Sequence, residues 1–298
     1  MQIIKRVFLF AMVNILVMVS LSFAYSVLAQ VFGLPQSGLG FLIPFCVIFG
    51  FGGAFISLLI SKWMAKRMMG VQVIDPRTSD PQGRWLIDRV HEYSRAAGLT
   101  KMPEVGVYNS QEVNAFATGP SKSDSLVAVS AGLLSRMSKE EAEGVLAHEV
   151  AHIANGDMVT MTLIQGVINT IVLLLARIAA NIVSSSLNKD DDRPNPFIYM
   201  GIVFLFETVF SLLGMVVVNY FSRAREYRAD AGGARFAGRE KMINALRRLQ
   251  NTTQLIEPEQ ETLATLKIAG KKKSALRFLF ATHPPLEERI HALERARI

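Results

Sequence analysis

Two of the five histidines in this 298-residue chain, His148 and His152, flank Glu149 in the stretch GVLAHEVAHIANGDMVTMTL. On a helix, side chains four residues apart lie on one face about a turn from each other, so both imidazoles can grip a single Zn²⁺. The glutamate beside the first histidine can then remove a proton from a water activated by that ion. Two histidines do not complete a hydrolytic site, because catalytic zinc takes three protein ligands and leaves a fourth position open. One known completion places another histidine six residues after the second and a glycine three residues after it. Here those positions are Met158 and Asn155, so that route fails.

A glutamate from another helix, giving a His₂Glu set, is the alternative. Glu226 and Asp230 form a second pair four residues apart. One carboxylate can bind the metal while the other accepts the N–H of a ligating imidazole. A solvated face is the plainer reading, since Arg223, Arg225 and Arg228 offer local ion pairs. Glu207 lies in an apolar stretch and is a poorer ligand.

Peptide hydrolysis also needs a donor for the charge that develops on the carbonyl oxygen. His283, in the turn Thr-His-Pro-Pro, is the remaining histidine in a rigid loop, and Arg289 follows it; His91 and His291 sit on amphipathic stretches and read as structural. A protease must hold an extended peptide, commonly as a strand added to a sheet edge. The run NAFAT has that small, β-capable character in Asn114, Ala115 and Phe116, with Asn114 able to pin a backbone group. An ordinary sheet strand is the competing reading.

The elements that must position these residues are largely apolar. Half of the chain is hydrophobic and only 19% is charged, which points to a membrane protein. Val7–Leu28 and Gly38–Ile60 carry no charge, Met158–Val183 carries only Arg177, and Pro196–Tyr220 carries only Glu207. Each exceeds the ~20 residues that cross a bilayer. The first is read as a retained span rather than a signal peptide, because it is long and a second span follows closely. Whether 158–183 and 196–220 cross fully is left open. Arg177 and Glu207, at similar depth, are expected to pair. Lys5, Arg6, Lys62, Lys66, Arg67, Arg223, Arg225 and Arg228 flank the spans on one side, which places both termini and the polar regions in the cytoplasm. These flanks account for the net charge of +7, and no basic–aromatic interleaving suggests nucleic acid. The single cysteine, Cys46, lies inside span two, so no disulfide or thiolate site is expected.

The layout is therefore a transmembrane hairpin (1–64), a first peptidase portion with the histidine helix (65–157), a second hydrophobic hairpin (158–220), and a second peptidase portion with the third ligand (221–298). After the loop DPRTSDPQG, an amphipathic helix runs from Arg84 to Ala97 and stops at Gly98. Glu104–Tyr108, Asn114–Thr118 and Ser125–Ser130 form a small sheet. Ser138 and Glu141 have capping-box spacing at the start of the histidine helix, and Asn155-Gly156 ends it. SRAREYRADAGGARFAG continues as helix from span four and REKMINALRRLQ forms another. IEPEQETLATLKIAGKKKSA reads as a linker, and THPPLEERIHALERARI as a turn followed by a helix.

Taken together, VNAFATG, VLAHEVAHIANGDMVTMTL, SRAREYRADAGGA and ATHPPLEERI, in that order around two hydrophobic pairs, make the chain resemble the HtpX family over nearly its full length. That family comprises bacterial inner-membrane heat-shock zinc metalloproteases related to the CAAX prenyl proteases. The resemblance implies that His148, His152 and Glu226 bind zinc, one ion per chain, with Glu149 as general base. It implies Asp230 as a supporting carboxylate, His283 and Arg289 as elements of the turn near the site, and Asn114 as a substrate-strand residue. It also implies polypeptide substrates including damaged or misfolded membrane proteins, a functional link to the ATP-dependent membrane protease, and self-cleavage.

The expected fold is an α-helical integral membrane protein of four hydrophobic segments, with a mainly helical, gluzincin-like metallopeptidase domain carrying a small β-sheet. A membrane chaperone or scaffold with a structural zinc is the main alternative. A four-span transporter fits less well, because Arg177 and Glu207 neutralise each other and the other ionisable clusters lie outside the spans.

Overall fold

A computed structural model describes residues 2–33, 38–187, 196–256 and 279–296. The chain divides into two compact units, Met1–Ser57 with Met161–Val218, and Leu58–Thr160 with Asn219–Ile298. The interhelical turn at 188–195 and the linker from residue 257 onward lie outside the described residues.

The first unit is built from α1 (Gln2–Phe32), most of α2 (Gly38–Met68), most of α6 (Asp157–Leu187) and the first half of α7 (Pro196–Ala237). α2, α6 and α7 are long and apolar enough to cross a membrane, and the described apolar part of α1 is Val19–Phe32. A helix is the form that satisfies every backbone N–H and C=O within one segment, which lipid requires. On α6 the exposed residues Leu163, Val167, Ile171 and Leu175 recur every four positions, while Ala176 and Ala180 are buried on the opposite side. Glycines let the helices touch. A Cβ on Gly50 would lie 2.6 Å from the Thr170 backbone nitrogen, and one on Gly166 would lie 2.5 Å from the Phe51 ring. Arg177 donates to Glu207 at 2.9 Å, and its guanidinium lies 5.0 Å from the Phe45 ring centroid. The pairing expected of these two charges is present.

The second unit holds a four-stranded mixed sheet, β1 (Gln72–Val73), β2 (Glu104–Tyr108), β3 (Ala115–Ser121) and β4 (Asp124–Ser130), in the order β1-β2-β4-β3. β2 and β4 are parallel, β3 is antiparallel to β4, and β3 forms an edge. β4 is buried almost throughout, as its near-continuous apolar sequence requires of a strand covered on both faces. Lys62 and Lys66 of α2 tie down the strand starts. Lys62 lies 2.9 Å from Glu104 and 2.6 Å from Asp124, and Lys66 lies 2.6 Å from Glu104.

The helix expected from Arg84 starts earlier, as α3 (Pro81–Ala96). Asp80 caps it by accepting the Gly83 N–H at 2.6 Å, and proline at the first turn has no N–H to lose. Ser130 similarly caps the short α4 (Ala131–Arg136), an element the sequence reading did not include. α5 (Lys139–Asn155) carries the histidines. Its capping box is formed, with Ser138 N–H donating to Glu141 at 2.8 Å and Glu141 N–H to Ser138 Oγ at 3.2 Å. It ends at Gly156, whose φ of 71° is the left-handed value that glycine adopts without penalty. α8 (Arg239–Ile256) and α9 (Leu286–Arg295) complete the unit.

α5 packs between the sheet and α8. Its Leu146, Val150 and Ile153 join Leu86 and Val90 of α3 and Val127 and Val129 of β4 in the main core. Full burial of Leu86, Leu146 or Ile153 stabilises the fold by roughly 1.5–3 kcal/mol each. A second cluster, Met242, Ile243, Leu246, Ile290 and Leu293, seats α9 on α8. The helix that holds the chemistry is thus fixed on two sides.

Candidate metal centre

His148 and His152 project from the last two turns of α5, and Glu226 and Asp230 from α7 beyond its apolar stretch. The two helices meet at Gly232-Gly233. A Cβ on Gly232 would lie 2.7 Å from that of Ala151, and one on Gly233 would lie 3.1 Å from the His148 backbone nitrogen. The glycine pair is what allows carboxylates of α7 to reach imidazoles of α5.

The Nε2 atoms of His148 and His152 are 3.1 Å apart. Glu226 Oε2 lies 3.5 Å from His148 Nε2, and its Oε1 lies 3.4 Å from His152 Nε2. One potential ligand atom from each residue falls within 4.8 Å of the others, and all three side chains are buried. Among the described residues, Glu226 Oε1 has no hydrogen-bond partner although it is shut off from solvent. A buried carboxylate oxygen without a donor costs several kcal/mol unless something positive meets it, and Arg225 Nε, at 3.6 Å, stands beyond hydrogen-bond reach. Two imidazole nitrogens and such an oxygen, converging on one point, are a donor set that fits Zn²⁺.

Each imidazole is also held from behind. His148 Nδ1 lies 2.9 Å from Asp230 Oδ1, and His152 Nδ1 lies 2.7 Å from Asp157 Oδ2. Arg289 of α9 donates to both oxygens of Asp230, at 2.8 and 2.6 Å, and its Nη1 is 3.3 Å from Glu226 Oε2. Burial works against charge on both histidines. For His152 the neighbouring Asp157 and Glu226 carboxylates overcome it and raise the pKa to about 9; for His148 those of Asp230 and Glu226 also raise it. Glu149 is half-buried, one residue from His148, and its charge adds to the upward shifts of His152 and Arg289. Its carboxylate is therefore near enough to act on the cluster electrostatically.

His283 Nδ1 lies 2.9 Å from Glu226 Oε2, and the rest of its ring is exposed. Two residues of α7 hold the turn that carries it. Arg223 donates to Ala281 O at 2.8 Å, and Asn219 donates to Leu279 O at 3.4 Å. His91 bonds Pro103 O and His291 bonds Glu294, away from this cluster.

The structure brings together His148, Glu149, His152, Glu226, Asp230, His283 and Arg289. Of the NAFAT run, Ala115 to Thr118 begin edge strand β3, which packs on α5, and Asn114 precedes it. Ala115 faces the α5 core, whereas Phe116 turns to the other face of the sheet and lies 5.6 Å from Tyr108, ring to ring. Asn114 is exposed, with its backbone bonded to Ser130. Asp157, Asn219 and Arg223 were missed as site-building residues. A signal existed for Asp157, which follows the glycine that stops α5 and so can fold back over the last turn.

The profile of peptidase family M48 matches residues 81–297. The chain is 52% identical to the "Protease HtpX homolog" of Bacillus licheniformis, across 97% of this chain and 99% of that protein. It is 50% identical to "Protease HtpX" of Aeromonas hydrophila and 52% identical to that of Shewanella oneidensis, with the same coverage. The crystal structure of S. mikatae Ste24p superposes with a TM-score of 0.69 at 18% identity, covering 98% of this chain and 66% of that one, a likeness of fold. With helices able to cross a membrane and a peptidase match over most of its length, the chain belongs to peptidase family M48, as a membrane-associated metalloprotease of the HtpX type.

Proposed function

We propose that the protein is a zinc-dependent endopeptidase that cleaves misfolded or damaged membrane proteins at the cytoplasmic face of the bacterial inner membrane. The observation that carries this reading is the buried His148–His152–Glu226 cluster, in which Glu226 Oε1 makes no hydrogen bond among the described residues, on helices continuous with or adjacent in sequence to apolar segments. Asp157, the first residue of α6, follows His152 by five positions, and Glu226 lies six residues past Tyr220 on α7. Polypeptide emerging from a bilayer is the substrate such an arrangement suits. The basic flanks of the spans favour the cytoplasmic side.

A bound zinc ion would supply Lewis-acid activation of water and of the scissile carbonyl. His148, His152 and Glu226 would hold it. Glu149 accepts the proton of the attacking water and returns it to the leaving amine. His283, anchored to Glu226 through Nδ1, offers Nε2 on its exposed side to the developing oxyanion. The free edge of β3 receives the substrate backbone, and Asn114 fixes its register. The peptidase is assembled from 65–157 and 221–298, and the proposal includes a functional link to the ATP-dependent membrane protease.

Purified full-length protein in detergent, loaded with zinc, is expected to degrade casein, to stop on chelation, and to recover when zinc is restored. Full activity of Glu149→Gln would eliminate this mechanism. Zinc binding without cleavage by the wild type would favour the scaffold reading instead.

A further inference from the structure

Asp157 is 2% exposed, and its Oδ2 lies 2.7 Å from Nδ1 of His152. Its other oxygen, Oδ1, has Arg228 Nη2 at 3.7 Å, at the end of a mostly exposed side chain. A carboxylate so deeply buried is costly unless its oxygens are matched, and the bond to His152 is the close match here. Backbone geometry places it there. Gly156, with its φ of 71°, ends α5 and bonds back to His152 and Ile153, so the next side chain returns over the final turn of the helix it has just left.

The two histidines of the cluster are therefore supported differently. His148 leans on Asp230, which Arg289 grips with two hydrogen bonds. His152 leans on Asp157, for which no comparable clamp is found among the described residues and which is itself the first residue of the apolar helix α6. An imidazole whose Nδ1–H is donated to a carboxylate keeps its Nε2 lone pair free and aimed, and becomes a better electron donor to a metal. In this cluster His152 Nε2 is the atom aimed at Glu226 Oε1 and His148 Nε2.

We infer that Asp157 is a positioning residue for the metal centre: it fixes the tautomer and ring orientation of His152 and so sets how tightly the second histidine holds the ion. The inference rests on the zinc-peptidase reading above. It also means that the first residue of α6 orients a ligand of the peptidase site.

The test uses the full chain in detergent micelles as wild type, Asp157→Ala and Asp157→Asn. Zinc affinity is read by competition with a chromophoric chelator. Histidine tautomers are read by nitrogen-15 NMR of the zinc-loaded protein. Asp157→Ala should weaken zinc binding about 10- to 100-fold. The same variant should lose the slowly exchanging Nδ1 proton of His152. Asp157→Asn keeps an acceptor oxygen and should recover part of both signals, which also serves if the alanine variant fails to fold. Wild-type affinity and an unchanged His152 proton in a folded Asp157 variant would overturn the inference while leaving the zinc reading intact. A folded wild type that binds no zinc would overturn both.

Discussion

Replacing Gly232 with valine tests the contact on which the centre is built. A Cβ at this position would lie 2.7 Å from Ala151 Cβ, whereas non-bonded carbons settle near 3.5–4.0 Å, so α7 and α5 must separate locally by about 1 Å. The residues on either side of that contact carry the ligands. Ala151 precedes His152, and Gly232 follows Asp230 by two positions on the helix that bears Glu226. Metal–ligand distances tolerate only about 0.2 Å, so a shift of this size exceeds the tolerance several-fold. Overpacking of this kind costs roughly 1–3 kcal/mol, while exchanging a helical glycine for valine, itself a weak helix former, returns only about 0.3 kcal/mol of helix propensity. The net loss of stability should therefore be modest and the loss of zinc affinity large. Chelator competition on the folded variant, with Gly201→Ala as a control whose Cβ meets nothing within 4 Å, separates the two effects. A Gly232→Val protein that keeps wild-type zinc affinity would show that the helix approach does not set the ligand geometry.

Two other perturbations give independent outcomes. Arg289→Met leaves Asp230 buried without its clamp and should cost about 3–5 kcal/mol in the absence of metal. Added zinc should restore part of this because the ion takes up the charge of Glu226, and the melting temperature with and without zinc reads the difference. Lys62 and Lys66 bear on acid stability. Burial pushes the Glu104 carboxyl up, but Lys66 and Lys62 hold it below its ordinary 4.5; Lys62 holds Asp124 below its ordinary 3.8. Carboxylates with depressed values add stability that is present above those ordinary values and is lost as pH falls through the depressed ones. Lys62→Met with Lys66→Met should therefore flatten the loss of stability below about pH 4.5, measured by unfolding in urea at stepped pH.

Signals that act within a few residues were readable before the fold was known. The capping box of Ser138 and Glu141, the stop at Gly156, the strand Glu104–Tyr108 and the spacing of His148 and His152 depend only on local geometry, and each stands where its neighbours dictate. The Arg177–Glu207 pair was readable because burying either charge alone in lipid is so costly. α3 starts at Pro81 rather than Arg84: Asp80-Pro81 is a clear N-terminal signal, but the surrounding DPRTSDPQG reads as loop by composition. β1 is too short to show a period, and it exists only because β2 offers an edge.

Long-range placement was less legible. The glycine pair 232–233 gave no sign of its partner until α5 was set against it, since glycine in a helix can mark either flexibility or close approach. Arg223 resembles Arg225 and Arg228 in sequence yet is buried and holds the turn bearing His283. Phe116 could face either side of the sheet, and its contact with Tyr108 settles that it turns from α5. In each case the deciding partner lies on another element.

One zinc ion between α5 and α7, held by His148, His152 and Glu226, is the proposal on which the peptidase reading depends. Calorimetric titration of zinc into metal-stripped, full-length Glu149→Gln measures it directly, because cleavage is silenced while the proposed ligands are intact. One ion per chain is predicted, with affinity lost when Glu226→Ala is added to the same protein. No binding by Glu149→Gln, or binding that Glu226→Ala leaves unchanged, would contradict the account.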